Sequence, residues 1–132
     1  MPKRQAKMSE AALQTHVCKL LNAYARHDIC WFAVPNGERR DPKTASRLKQ
    51  QGVRAGAADL CFVIDGLMVG LELKTETGKP SKAQLGFRED LERAGGRYCC
   101  AFGLNEAIAA LIDINVFRPN IHISTSKLIS EA

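Results

Sequence analysis

The pair Asp65-Gly66 constrains this chain more than any other feature. On either side lie runs of strand-forming residues, DLCFVI before it and LMVGLEL after it, and an Asp-Gly pair supplies the positive φ angles that a two-residue hairpin turn demands. The stretch from Gly56 to Lys74 therefore reads as one β-hairpin. The turn also sets the register. If Ile64 faces Leu67, stepping outward along both strands brings Asp59 opposite Glu72 on one face, and strand alternation turns Lys74 the same way.

Directly opposed side chains in such a pair have Cβ atoms roughly 4.5 to 5.5 Å apart, where two carboxylates destabilise a sheet unless something offsets their charge. A divalent cation would do so. Hard oxygen ligands suit Mg²⁺ or Mn²⁺, which keep several waters and often take only one or two carboxylates from the protein. The ammonium of Lys74 would then orient or deprotonate an attacking water, or steady the charge developing on a phosphate. A lone Asp, Glu or Lys on a strand is usually just solvated. Three of them on one face of two otherwise apolar strands point instead to a site.

Asp59 followed by Glu72-Leu73-Lys74 resembles the PD-(D/E)XK nuclease signature. Its surroundings resemble the VRR-NUC family of virus-type replication-repair nucleases. They comprise Pro35-Asn36-Gly37, Arg47-Leu48-Lys49 with Gly52, Gly56 through Leu60, Gly78, Ser81 with Gln84, and Gly95-Gly96. Ala58 stands where that family commonly has proline, which leaves the acid itself in place. The resemblance implies a restriction-endonuclease-like core and a metal-dependent endonuclease, with Asp59, Glu72 and the Leu73 carbonyl as ligands of Mg²⁺ (or Mn²⁺). It further implies catalytic roles for Asp59, Glu72, Lys74 and Gln84, and a glutamate of the first helix, here Glu10, reaching toward the metal. Asn36 then lies near the active site, and Arg39 and Arg40 become candidates for phosphate contact. Stand-alone relatives are expected to act as homodimers on branched DNA, in the manner of a Holliday-junction resolvase.

Several of these residues have a plainer reading beside the functional one. Glu10 is also an acid at a helix N-terminus, which the helix dipole favours. Gln84 with Ser81 forms a capping box, a role that competes with the site for the same side chain. Gly56 serves either close backbone approach to a substrate or a turn.

With 132 residues the chain has room for one domain, a core over about residues 9–114 and an extension over 115–132. Lys plus Arg number 19 against 14 for Asp plus Glu, a net charge of +5 that suits a polyanionic partner. The placement says more than the total. Lys3, Arg4 and Lys7 lead the chain, while Arg39, Arg40, Lys43, Arg47, Lys49 and Arg54 crowd the segment before the acidic hairpin, a basic approach to an acidic centre that suits a phosphodiester. The five cysteines have no CxxC spacing and read as small apolar residues in a reducing compartment. No apolar run is long enough to span a membrane, and the charged opening is not followed by a signal-peptide core, so a soluble, cytoplasmic protein is expected. Gly78-Lys79 lacks the earlier glycine of a phosphate-binding loop, and no nucleotide cofactor is expected.

Along the chain, Ser9 caps a predicted helix over 10–26 whose inward face carries Leu13, Val17, Leu20, Leu21 and Tyr24. A strand is expected over 29–34, and a short polar helix over 43–51 with Gly52 at its C-cap. After the hairpin, Ser81 opens a helix with Leu85, Phe87, Leu91 and Ala94 inward and Gly95-Gly96 at its end. A strand over 97–102 and a helix over 105–114 follow, and Ile121, Ile123 and Thr125 alternate as in a short strand. This order is that of an α/β fold with a central mixed β-sheet flanked by helices. Two functions fit it: a structure-specific endonuclease, or a non-catalytic nucleic-acid-binding module whose working surface is the basic segment. The intact acid pair favours the first, because phosphate binding alone is better served without negative charge.

Overall fold

The computed structural model describes residues 8–35 and 41–123. In chain order the elements are α1 (Glu10–Tyr24), β1 (Cys30–Ala33), α2 (Pro42–Gln50), β2 (Leu60–Ile64), β3 (Leu67–Lys74), α3 (Lys82–Arg93), β4 (Arg97–Phe102) and α4 (Gly103–Asp113). The strands form one sheet in the order β1-β2-β3-β4. The first three run antiparallel, and β3 pairs with β4 in parallel, so the sheet is mixed and α3 is the crossover that a parallel connection requires.

The hairpin forms as its turn demands. Asp65 and Gly66 adopt φ 52° and 80°, and Ile64 pairs with Leu67 and Leu60 with Leu71, which is the expected register. That register sorts the side chains. Leu60, Phe62, Ile64, Val69, Leu71 and Leu73 enter the core with Ala101 of β4, where they meet Leu13, Val17 and Leu21 of α1 and Ala107 and Leu111 of α4. A few such fully buried side chains, at roughly 1.5 to 3 kcal/mol each, are enough to decide which face of the hairpin turns inward.

The opposite face carries Asp59, Glu72 and Lys74, and α3 lies across its β3–β4 half. Gly70 makes room for that helix. A Cβ there would meet Ala58 Cβ at 3.0 Å and Leu91 Cδ2 at 3.2 Å. Only part of the expected inward face of α3 is inward. Phe87 and Leu91 are half-buried on the sheet, whereas Leu85 is 50% exposed and Ala94 is exposed. Leu85 lies two residues from Phe87, about 200° around the helix, and so points to solvent. Tyr24, expected inward at the end of α1, is also exposed.

The last described segment differs from its sequence reading as well. Residues 121–123 form no strand, and Thr125 lies outside the described residues. The pairing falls earlier, as a bridge between Phe117 and Ala25 in which Arg26 N donates to Val116 O and Arg118 N to Tyr24 O. The alternation over 121–125 has too few apolar residues to compete with this seal, which buries Ile114 and Val116 against the end of α1. The core therefore continues past residue 114. No helix among the described residues is long and apolar enough to cross a membrane.

Candidate functional site

Asp59 immediately precedes β2, and its own carbonyl accepts from Val34 N, which ties it to the end of β1. Its carboxylate Oδ2 accepts from Leu73 N at 2.8 Å. This bond crosses the hairpin beyond the last strand pair and holds Asp59 beside Glu72. Glu72 is the only charged or polar residue among the described ones to be fully buried, at 3% exposure. Leu73 turns its side chain into the core, and Lys74 returns to the site face.

Gln84 resolves the competition posed by its two sequence roles, because an amide has two ends. Its Oε1 accepts from Ser81 N at 2.8 Å, completing the capping box of α3, while its Nε2 donates to Glu72 Oε1, also at 2.8 Å. The cap thus locks the amide in the orientation that serves the carboxylate. The other oxygen, Glu72 Oε2, is buried and accepts no hydrogen bond among the described residues, and the Glu72 carboxyl faces that of Asp59. Burial, and after it the facing charge of Asp59, pushes the Glu72 carboxyl up to about 8. An orphaned buried carboxylate oxygen is costly, and a bound ion, an ordered water or a catalytic role is what accounts for one in a native structure.

The donor set fits a hard divalent ion: Glu72 Oε2 and the Asp59 carboxylate, with the Leu73 carbonyl next to Glu72 in sequence. Among the described residues no group of three or more His, Cys, Asp and Glu side chains converges, so Glu10 does not join the two carboxylates in one cluster. It stands instead 3.9 Å from Lys74 Nζ, on an exposed first turn of α1. The Lys74 side chain is only 12% exposed, and its charge partly counters the upward push on Glu72.

The basic residues divide. Asn36, Arg39 and Arg40 lie outside the described residues. Arg47 and Lys49 are exposed on α2, a helix with no buried residue and no packing against another of the described helices or strands. Arg54 is engaged within the protein: it pairs with Asp90 and its guanidinium lies 5.5 Å from the centre of the Phe87 ring. Gly56, two residues on, sits in the turn that one of its sequence readings expected, and it needs its glycine for a second reason as well. At φ 82° a Cβ would fall 2.3 Å from the backbone carbon of Ala83, so it is α3, not a substrate, that approaches closely. Arg54 and Gly56 together clamp the loop before Asp59 onto the helix that carries Gln84.

Sequence reasoning missed the neighbours contributed by β4. Cys100 pairs with Glu72 in the parallel ladder, and its thiol is pushed up to about 11 by burial and then by the Glu72 charge. Tyr98, opposite Gly70, is raised by the same two causes in the same order. Parallel pairing is long-range, and no local motif signals which β4 residue will meet the acid. A groove along α1, lined by Gln14, Thr15, Lys19 and Asn22 and reaching Asp59, was equally unsignalled.

No family model matches the chain, and neither does any curated protein. Solved structures do. One titled "VRR_NUC domain protein" superposes with a TM-score of 0.67 at 20% identity, covering 84% of this chain and 91% of the other. Another, "VRR_NUC domain", gives 0.54 at 20% identity over 79% and 94%. At that level of identity the likeness speaks for architecture: this chain has the fold of a VRR_NUC domain, an α/β restriction-endonuclease-like core with a mixed four-stranded sheet.

Proposed function

We propose that the protein is a Mg²⁺- or Mn²⁺-dependent endonuclease that hydrolyses phosphodiester bonds in branched DNA, acting on four-way junctions as a homodimer. The observation that carries this reading is Glu72: buried, fixed through one oxygen by Gln84, and left with its other oxygen unpartnered beside Asp59. The fold shared with VRR_NUC domains supports the same reading.

In this mechanism Asp59, Glu72 and the Leu73 carbonyl would hold the ion. When bound, the ion polarises the phosphoryl oxygen and makes water a stronger nucleophile at neutral pH. Leu73 N keeps Asp59 in place, and Gln84 Nε2 keeps Glu72 in place, so neither carboxylate reorganises as charge develops. Lys74 presents its ammonium on the same face to orient the attacking water and to steady the phosphate. Arg47 and Lys49 on α2 supply exposed positive charge for the DNA backbone. One chain provides a single such centre, and two-fold symmetry is the simplest source of the second centre that paired incision needs.

The test is incubation of the purified protein with labelled four-way junction, flap, fork and linear duplex in Mg²⁺, Mn²⁺ or EDTA, with light scattering at the same concentration. Metal-dependent, paired incision of the junction by a dimer is expected. A monomer that cuts linear duplex as readily as junctions refutes the resolvase reading, and absence of cleavage with every metal and substrate leaves only the binding-module alternative.

A further inference from the structure

α3 is anchored to the sheet at one end and carries Gln84 at the other. Its apolar anchors, Phe87 and Leu91, seat on Gly70, where a Cβ would meet Leu91 Cδ2 at 3.2 Å and Phe87 Cε1 at 3.6 Å. Gln84 belongs to the first turn, roughly 10 Å along the axis from Leu91. In that turn Lys82, Ala83 and Leu85 are all exposed, so no apolar side chain there holds it to the sheet. A tilt of about 10° around Leu91 would carry the Gln84 amide about 2 Å, enough to break its bond of 2.8 Å to Glu72. The first turn therefore needs a second support.

The chain between α2 and Asp59 supplies it. Gly56 lies against the peptide that joins Ala83 to Gln84: an added Cβ would fall 2.3 Å from the Ala83 carbonyl carbon and 2.6 Å from Gln84 N. Ala58 is fully buried, with its Cβ against Gly70 of β3, and Asp59 follows directly. Arg54 reaches further along α3, where its guanidinium meets Asp90 Oδ2 at 2.5 Å and lies over the Phe87 ring, while Asp90 Oδ1 takes Arg93 at 3.1 Å. The bond to Arg54 holds the Asp90 carboxyl below its usual range. Gly56 and Arg54 thus touch α3 about two turns apart, and two such points fix the tilt of a helix. We infer that residues 52–58 brace the acid site, with Arg54, Gly56 and Asp90 as positioning residues that seat the Gln84 amide on Glu72. Arg54 then acts through α3 and not on a phosphate. An exposed ion pair adds little to global stability, so the effect belongs to the site and not to the melting temperature. The consequence for metal binding rests on the reading proposed above; the seating of the amide does not.

The experiment measures Mn²⁺ affinity by calorimetry in the wild type, Arg54→Ala, Asp90→Ala and the exchanged pair Arg54→Asp/Asp90→Arg. The two alanine variants are also made in a Gln84→Ala background. Each single variant should bind Mn²⁺ about three- to fivefold more weakly, and the exchanged pair should return to within about twofold of wild type. Without Gln84 neither substitution should weaken Mn²⁺ further, because no amide is left to seat, whereas a merely structural role would add its loss there too. Gly56→Ala, which forces the first turn outward, should cost at least about tenfold. In EDTA, hydrogen exchange of the Gln84 side-chain amide, followed by NMR, should quicken in Arg54→Ala and in Asp90→Ala. If Arg54 instead contacts phosphate, Arg54→Ala weakens binding of a four-way junction and Asp90→Ala strengthens it, with amide exchange unchanged, and the brace is overturned. Losses of Mn²⁺ affinity that persist undiminished without Gln84 overturn it as well. A wild type that binds no metal and cuts nothing, with amide exchange quickened in both variants, sinks the nuclease reading and leaves the brace standing.

Discussion

The hairpin carries acids at both ends, and the two ends treat them in opposite ways. At the turn, Asp65 is exposed and shares Arg26 with Asp28, at 3.0 and 2.9 Å, and the guanidinium lowers the Asp28 carboxyl below its usual range. At the open end, Glu72 is buried, faces another acid and has one oxygen without a partner, and its carboxyl is raised. A fold that only needed stability would have arranged both ends like the turn. The same two strands set both environments, so the difference lies in what surrounds them. Solvent and a directly paired guanidinium lie at one end, and α3 with its inward amide lies at the other, where Lys74 only partly counters the charge.

The largest expected consequence concerns chemistry. Asp59→Ala, Glu72→Ala and Lys74→Ala should each lower cleavage by at least ~100-fold, with far-ultraviolet circular dichroism unchanged; near-normal rates in any two of them would erase the functional distinction between the ends. Next comes pH. Glu72 is raised in the folded state to about 8 from an ordinary 4.5, so between those values the folded protein binds more protons than the unfolded one and loses stability as pH rises. Urea melts in EDTA should show a wild type that weakens by on the order of a few kcal/mol from pH 5 to 8.5, against a much flatter profile in Glu72→Gln. Parallel profiles would place the titration elsewhere.

A smaller effect should come from the metal. Mn²⁺ should raise the melting temperature of the wild type by linkage, on the order of 2.7 kcal/mol of stability at a concentration about 100 times the Kd, and much less that of Asp59→Ala. Equal shifts in both proteins would mean that the ion binds away from this pair. The smallest effect belongs to the turn: Arg26→Ala should lower the melting midpoint slightly and leave cleavage within about twofold. A large loss of activity there would show that the two ends are coupled.

How far the sequence carried these conclusions follows from the range of the interactions. The register was legible because Asp65-Gly66 admits one turn geometry, and everything within the hairpin follows by counting. Gln84 was legible as a residue but not as a bridge, since a motif cannot show that the cap and the carboxylate are held by opposite ends of one amide. Leu85 was misplaced because apolar identity was given more weight than helical phase on a weakly buried helix. The clamp of Arg54 and Gly56 on α3 was invisible, as nothing local to residues 54 to 56 announces which backbone will approach them. The strand expected near residue 123 rested on very few apolar positions, and the bridge at Phe117 took its place.

α3 has no fully buried side chain, whereas β3 beneath it is buried through Leu73. Few buried contacts favour low local stability, so α3 is expected to open more often than the sheet and its α1 face. Each such opening breaks the bond between Gln84 and Glu72 and lets water reach the orphaned oxygen. The acid pair is then expected to have a lifetime of its own, shorter than that of the fold, and amide hydrogen exchange along α3 would time it: protection equal to that of β3 would show that the two open together.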